Sequence, residues 1–399
     1  MTGRGRQIPE GMQDLLPGAC ARKRQTEDVL RGMFACHGFS EVETPMLEYA
    51  DAFGGAAQQQ MWKTFDPSGH VLAIRPDSTT PIVRLAATHL REAALPLRLC
   101  YVQDVLAYPA QQHPQFCQAT QGGVELLGDS SPDADAEVIA LAIQALERCG
   151  LRDFQIDIGQ VDFFKGLMEE AGLSDTQTER LRACVEQKNM LAMELMLRDE
   201  RVGAEVGQRI MRLPVLYGGE EVLEASRGIT SAPRCLAALD RIRRVLDALG
   251  DHGCRDRISI DLGMVHALHY YTGIIFRGIT AYLGRPLLSG GRYDTLSADF
   301  DLPLPATGFG LDVGQLLVAL ERQEPVPPAP HADVLVAYAP ASRAEALRWA
   351  ARERQAGRRV ALCPGLDGDA VCALAHAQGI PEARFFADGT PRVPRTEEG

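Results

Sequence analysis

Three stretches of the 399-residue chain carry side chains whose types and spacing could do chemistry. In Arg75-Pro-Asp-Ser-Thr-Thr-Pro81 a strand end runs into a helix, where Ser78 or Thr79 can cap the helix and Asp77 projects from the turn before it. Two readings stay open: a capped helix and no more, or a carboxylate (Asp77) and a hydroxyl (Thr79) offered at a sheet edge to an ammonium group. In Gln121-Gly-Gly-Val-Glu125 the two-residue period of a strand puts Gln121, Gly123 and Glu125 on one face. At ~3.3 Å per residue the amide and the carboxylate stand ~13 Å apart with glycine between them, an open floor for a small ligand. Glu125 lies between apolar Val124 and Leu126, so its carboxylate needs a partner, either a ligand amine or an internal arginine. The third stretch is Gly263-Met-Val-His-Ala-Leu-His-Tyr-Tyr-Thr-Gly273, followed by Ser289-Gly-Gly-Arg-Tyr-Asp294. Tyr270, Tyr271 and the double glycine suit a shallow aromatic pocket for a flat polar ring; core packing is the alternative for the tyrosines. His266 and His269 lack a third ligand nearby, and the ten cysteines contain no C-x-x-C pair, so neither a metal nor another cofactor is expected.

The elements that must position these residues follow from periodicity and punctuation. A helix is expected from about Ala19 to His37, strands at Phe39 to Glu43, Val71 to Arg75, Leu97 to Val105 and Gly122 to Leu127, and helices at Pro81 to Ala94 and Ala134 to Cys149, the latter capped by the Asp129 to Pro132 loop. Phe154 to Gly159 alternates as a strand and leads into a long helical region broken at Gly172, Pro214 and Gly218-Gly219, and the later strands are short and Gly-rich. This pattern predicts an α+β fold, an antiparallel sheet interrupted by a helical insertion at about 163 to 250. Four prolines within Gln323 to Pro330 predict a linker at 323 to 330 between a core of residues 1 to 322 and a small α/β C-terminal domain at 331 to 399.

Composition narrows the classes further. With 46% hydrophobic and 24% charged residues the chain reads as folded and globular rather than disordered. A formal charge of −12 argues against a protein that chiefly neutralises nucleic-acid phosphates. No apolar run reaches the ~20 residues of a membrane span and the N-terminus lacks a secretory pattern, so a cytoplasmic location with no membrane association is expected.

Taken in order, these segments resemble class II histidyl-tRNA synthetase over essentially residues 7 to 320. Ile8-Pro-Glu-Gly-Met-Gln-Asp-Leu-Leu-Pro17 is similar to that family's N-terminal signature, Thr44-Pro45-Met-Leu-Glu48 to class II motif 1, and Arg75 to Thr79 to its amino-acid-binding loop. The 266–273 and 289–294 stretches resemble its two histidine-specific peptides. The resemblance implies a class II aminoacyl-tRNA synthetase-like antiparallel sheet with flanking helices, a homodimer paired across motif 1, and a histidine site formed by Asp77, Thr79, Gln121, Glu125, Tyr270 and Tyr271.

Departures from the pattern then change the expected activity. Ala107 stands where motif 2 places an arginine on the ATP α-phosphate, and Pro109 where an acidic residue is expected. Gln315 replaces the motif 3 arginine, and His266 and His269 replace an arginine and an aspartate of the histidine-specific peptide. A positioned arginine at a developing phosphate charge is worth on the order of 10³-fold in rate, so losing three leaves no expected adenylation chemistry. A paralogous family keeps the scaffold without these arginines: the regulatory subunits of short-form ATP phosphoribosyltransferase, which opens histidine biosynthesis. Resemblance to it implies a non-catalytic chain that joins a short-form ATP phosphoribosyltransferase catalytic subunit as a homodimer within a hetero-oligomer, activates it, and mediates feedback with L-histidine as effector. The 331–399 segment carries nine Arg, no Lys and nine Asp plus Glu, which predicts no basic face for tRNA. A divergent histidyl-tRNA synthetase and a free-standing amino-acid-binding paralogue are the alternatives.

Overall fold

Apolar residues at helical spacing build α1 (Pro17–Cys36), which buries Leu30, Met33 and Phe34. The computed structural model describes residues 6–54, 61–107, 117–265, 271–325, 331–387 and 390–392. Tyr270, His266, His269, Pro109, residues 326–330 of the expected linker and the 393–399 tail lie outside the described residues.

The chain divides into a large unit, residues 1–14 and 22–325, and a small one, residues 15–21 and 326–399. In the large unit β1 (Ser40–Glu41), β2 (Leu47–Tyr49), β3 (Lys63–Phe65) and β4 (Val71–Ile74) precede α2 (Thr79–His89), followed by β5 (Leu97–Leu106), β6 (Gln118–Leu127), α3 (Pro132–Arg148) and β7 (Gln155–Gln160). The helical insertion comprises α4 (Val161–Glu170), α5 (Asp175–Glu186), α6 (Met190–Asp199), α7 (Ala204–Arg212), α8 (Glu221–Arg227) and α9 (Pro233–Asp251), with a two-residue strand β8 (Tyr217–Gly218) inside it. The chain then returns through β9 (Ile258–Asp261), β10 (Ile274–Ile279), β11 (Leu288–Arg292) and β12 (Ala306–Asp312) to α10 (Val313–Gln323).

Nine of these strands form one sheet in the order β1-β5-β6-β12-β11-β10-β7-β9-β8. It is antiparallel from β5 to β7, and only β1 on β5 and β9 on β7 run parallel. Side-chain alternation gives the sheet two unlike faces. One carries Val124, Leu126, Phe276, Phe309 and Leu311 into a large apolar core shared with α1, α3, α9 and α10. The other carries Tyr101, Tyr271, Ile275 and Tyr293 with Ile82 and Val83 of α2. At ~1.5–3 kcal/mol per fully buried aliphatic side chain, the unbroken buried run Val138 to Ile143 of α3 fixes that helix on the first face. The Ser131 hydroxyl accepts from Ala134 N at 3.1 Å to cap it.

The small unit places β13 (Val334–Tyr338), α11 (Arg343–Gln355), β14 (Val360–Leu362), α12 (Gly368–Ala377), β15 (Glu382–Ala387) and β16 (Thr390–Arg392) in a sheet of order β14-β13-β15-β16. Trp349 and Phe386 pack one side of it; Val371 and Ala375 pack the other.

Candidate functional site

The second face of the large sheet holds the polar residues singled out above. Register places Glu125 opposite Gly308, Gly308 opposite Gly291, and Ile275 between Gly291 and Gly159; one residue pair away, Gly123 lies opposite Gly310. The floor is therefore almost without side chains, and each glycine admits a neighbour. A Cβ on Gly308 would collide with the Glu125 carboxylate, one on Gly310 with the Gln121 amide, and one on Gly123 with the Tyr101 ring and hydroxyl. A Cβ on Gly291 would come within 3.0 Å of the Tyr271 ring. Strand-interior glycine weakens a sheet, and its use at five positions on one face marks a surface shaped for close approach.

Glu125 is buried on this floor with two hydroxyl partners: Thr79 Oγ1 donates to Oε1 at 2.7 Å and the Tyr293 hydroxyl donates to Oε2. Burial, reinforced by the nearby Asp77 charge, outweighs both hydroxyls and pushes its pKa up to about 8. The internal arginine left open as a partner does not occur among these contacts, since Arg292 of the Ser289–Asp294 stretch turns to the other face. There it donates to Asp135 and to the Asp129 and Ser131 carbonyls, holding the N-terminus of α3. Gln121 accepts from Ser78 N at 3.1 Å, tying the α2 entry to β6.

Asp77 plays a different local part from the one its sequence position suggests. Its carboxylate caps α2, accepting from Thr80 N at 3.0 Å, while the Ser78 hydroxyl makes no cap bond and is buried without a partner among the described residues. Thr79, free of capping duty, points to Glu125. Burial raises the Asp77 pKa as well, with the Thr79 and Thr80 bonds opposing. Asp77, Thr79, Gln121, Glu125 and Tyr271 thus surround one end of the floor; Tyr270 is not described.

Two residues of this site escaped sequence reasoning, Tyr101 and Tyr293. Both are fully buried, and burial together with the Glu125 and Asp77 charges drives the Tyr101 hydroxyl well above its usual pKa. The signal existed: Tyr101 alternates with Leu99 and Gln103 on β5, so it faces the same side as Glu125, which pairs with Leu99. At the positions where the resemblance implies phosphate-binding arginines in a synthetase, Ala107 follows β5 in an antiparallel bridge with Met61, and buried Gln315 accepts from Arg285 Nε at 2.9 Å. Arg75 is equally committed, donating to the Asp104 carbonyl at 2.7 Å and to Gln103 at 3.0 Å.

A sheet of this order, with a buried acid, amide and tyrosines over a glycine floor, defines a class II histidyl-tRNA synthetase-like protein, and the histidyl-tRNA synthetase family model matches residues 11–316. The fold of histidyl-tRNA synthetase from Nostoc sp. is shared at TM-score 0.81 over 95% of this chain and 91% of that one, at 21% identity. Within that class the similarities point to one branch. The ATP phosphoribosyltransferase regulatory subunit of Acetivibrio thermocellus is 41% identical over 356 residues, 88% of this chain and 85% of that protein. The one from Clostridium kluyveri is 39% identical over 386 residues, 95% and 96% of the two chains. A Bacillus halodurans structure described as an ATP phosphoribosyltransferase regulatory subunit/histidyl-tRNA synthetase matches with TM-score 0.84 and 32% identity, over 95% of this chain and 98% of that one. The chain belongs to the ATP phosphoribosyltransferase regulatory subunit family.

Proposed function

We propose that this chain reports histidine concentration to an ATP phosphoribosyltransferase catalytic subunit, using the pocket around Glu125 as the effector site. As a member of the regulatory-subunit family it acts through that partner chain and is not itself the enzyme. The observation that carries the reading is the cluster of Thr79, Gln121, Glu125 and Tyr271 over one sheet face in a chain that has Ala107 after β5 and Gln315 on α10 at the places of phosphate-binding arginines. In this reading the ligand ammonium meets Glu125 and Thr79, Gln121 and Asp77 line its approach, and Tyr271, with Tyr270, flanks the imidazole. Feedback requires histidine to prefer the inhibited assembly, because a ligand that binds both states equally shifts nothing; a tenfold preference corresponds to about 1.4 kcal/mol.

The remaining elements of the proposal are a homodimer, a cytoplasmic location and no tRNA substrate. Support for the dimer lies at motif 1, where Glu48 is locked by Arg84 (Nε to Oε2 2.8 Å) while Leu47, Tyr49, Phe65 and Val71 stand exposed on the small β2-β4-β3 sheet. The 1–322 core, 323–330 linker and 331–399 domain are our functional division. The test is reconstitution: the chain is mixed with a short catalytic subunit and phosphoribosyl transfer from PRPP to ATP is followed against histidine. Glu125→Ala and Tyr271→Ala should weaken inhibition at least tenfold and leave uninhibited activity largely intact. Unchanged inhibition curves in an assembly shown to be intact would place the effector site elsewhere.

A further inference from the structure

The helical insertion meets the sheet at the segment that leads toward Tyr271. Asp261 ends β9 and accepts from Gly263 N at 3.0 Å, and Leu262 N donates to the Leu216 carbonyl of the insertion at 3.0 Å. Gly263 packs without a gap against the insertion, since a Cβ there would lie 2.5 Å from the Leu213 carbonyl oxygen. The next two residues part company. Met264 joins the apolar cluster of Tyr101, Tyr271 and Tyr293, with its methyl 3.1 Å from where a Cβ on Gly159 would sit. Val265 joins the other cluster, which contains Leu181 and Val185 of α5 and Leu213.

One side chain of the insertion fastens this hinge of two clusters. Arg182 on α5 is gripped by Glu179 (Nε to Oε1 2.9 Å) and Glu186 (Nη1 to Oε2 2.8 Å), and the same Nη1 donates to the Val265 carbonyl at 3.2 Å. The two carboxylates hold the guanidinium in place and raise its pKa. They also restrict its rotamers, so the bond to Val265 is made by a pre-organised charged donor.

We infer that Arg182 is a positioning residue that couples the helical insertion to the amino-acid pocket by fixing the Asp261–Val265 segment, and with it Met264 in the apolar cluster that holds Tyr271. The inference rests on the reading of that pocket as a histidine site. Displacement of α5 by a partner on the insertion would then be felt at the floor through contiguous contacts: Arg182 to Val265, and Leu213 to Gly263.

Titration calorimetry of the full chain with L-histidine separates the two ideas. No heat of binding to the wild type, up to millimolar histidine, would overturn the pocket reading itself. If the wild type binds, Arg182→Met should raise the dissociation constant fivefold or more with the thermal midpoint kept within a few degrees. Glu194→Gln, on the neighbouring helix α6, should leave affinity within twofold. Should Arg182→Met fail to fold, Arg182→Lys decides, because it keeps the positive charge toward Glu179 and Glu186 but loses the guanidinium fork. A twofold or greater weakening supports the coupling, and unchanged affinity in a folded Arg182 variant overturns it.

Discussion

Replacing Glu125 by glutamine should uncouple histidine binding from pH. Burial pushes the Glu125 pKa up to about 8, so at pH 7 about nine-tenths of the carboxyl is protonated, as an acid one pH unit below its pKa must be. An ammonium ligand needs the carboxylate, and binding at pH 7 therefore carries an ionisation cost of roughly 1.4 kcal/mol, the value of one pKa unit. Wild-type affinity should fall about fivefold from pH 8 to pH 7 and close to tenfold more to pH 6, where the ligand imidazole also begins to titrate. Close to one proton should leave the complex per histidine at pH 7. The Glu125→Gln variant should release none, bind with an affinity flat between pH 7 and 8, and lose roughly 10–100-fold at pH 8, the range of a hydrogen bond to a charged group at ~1.5–3 kcal/mol. Calorimetry in two buffers of different ionisation enthalpy counts the protons. A wild type that releases none, or a variant that keeps the wild-type slope, refutes the reasoning.

The same shift has a stability consequence of fixed sign. A carboxyl whose pKa is raised on folding contributes fully below its unfolded value of 4.5, and the contribution is lost as pH rises through about 8. The difference, 8 minus 4.5, amounts to roughly 5 kcal/mol at most. Denaturant titrations should show Glu125→Gln gaining on the wild type from pH 5 to pH 8.5 in the absence of histidine; equal slopes would contradict the burial of this group as an acid.

Further outcomes follow from the same geometry. Purified protein should show no histidine-dependent ATP–pyrophosphate exchange, because Ala107, Gln315 and His266 supply no cation to phosphate; exchange above background would favour the divergent synthetase. Leu47→Asp combined with Tyr49→Glu, two exposed positions on one face of β2, should convert a dimer to a monomer in light scattering at micromolar concentration. Gly308→Ala should abolish histidine binding and destabilise the fold by about 1–3 kcal/mol, since its methyl must displace the Glu125 carboxylate; retention of wild-type affinity would show that the floor tolerates filling.

How much of this was legible depended on whether the signal was local. Gln121 and Glu125 share a face because strand alternation is a property of consecutive residues, and the α3 cap at Ser131 reads directly from Asp-Ser-Ser-Pro. The bond from Thr79 to Glu125 is another matter. It joins residues on α2 and β6 whose approach is decided by packing Ile82 and Val83 against the sheet. Tyr101 lies within β5 and Tyr293 directly after β11, where a buried aromatic reads as core, and only the three-dimensional packing reveals that the Tyr293 hydroxyl meets Glu125 and that Tyr101 shares its face. Asp77 competed with Ser78 and Thr79 for the same cap, and spacing alone does not choose among three residues that all cap well. The two-residue β8 inside the insertion lies below the length at which periodicity has meaning.

The floor itself argues against packing as the purpose of these residues. Glycine in a strand interior is unfavourable by roughly 0.5–1 kcal/mol relative to alanine, and the face carries it at 123, 159, 291, 308 and 310. Four of these openings are occupied by Glu125, Gln121, Tyr101 and Tyr271, polar or partly polar groups that are themselves unfavourable to bury. A face built only to pack would place an aliphatic side chain at 125, as the opposite face does at the adjoining positions Val124 and Leu126. Two unfavourable choices that fit one another so closely make physical sense when a ligand supplies the missing interaction. In the proposed site an ammonium would do so for Glu125 most fully, pairing with the carboxylate that burial disfavours. Such a ligand would couple its binding to the protonation of Glu125; feedback needs, beyond this, a preference of the ligand for the inhibited assembly, and the reconstituted enzyme measures that preference.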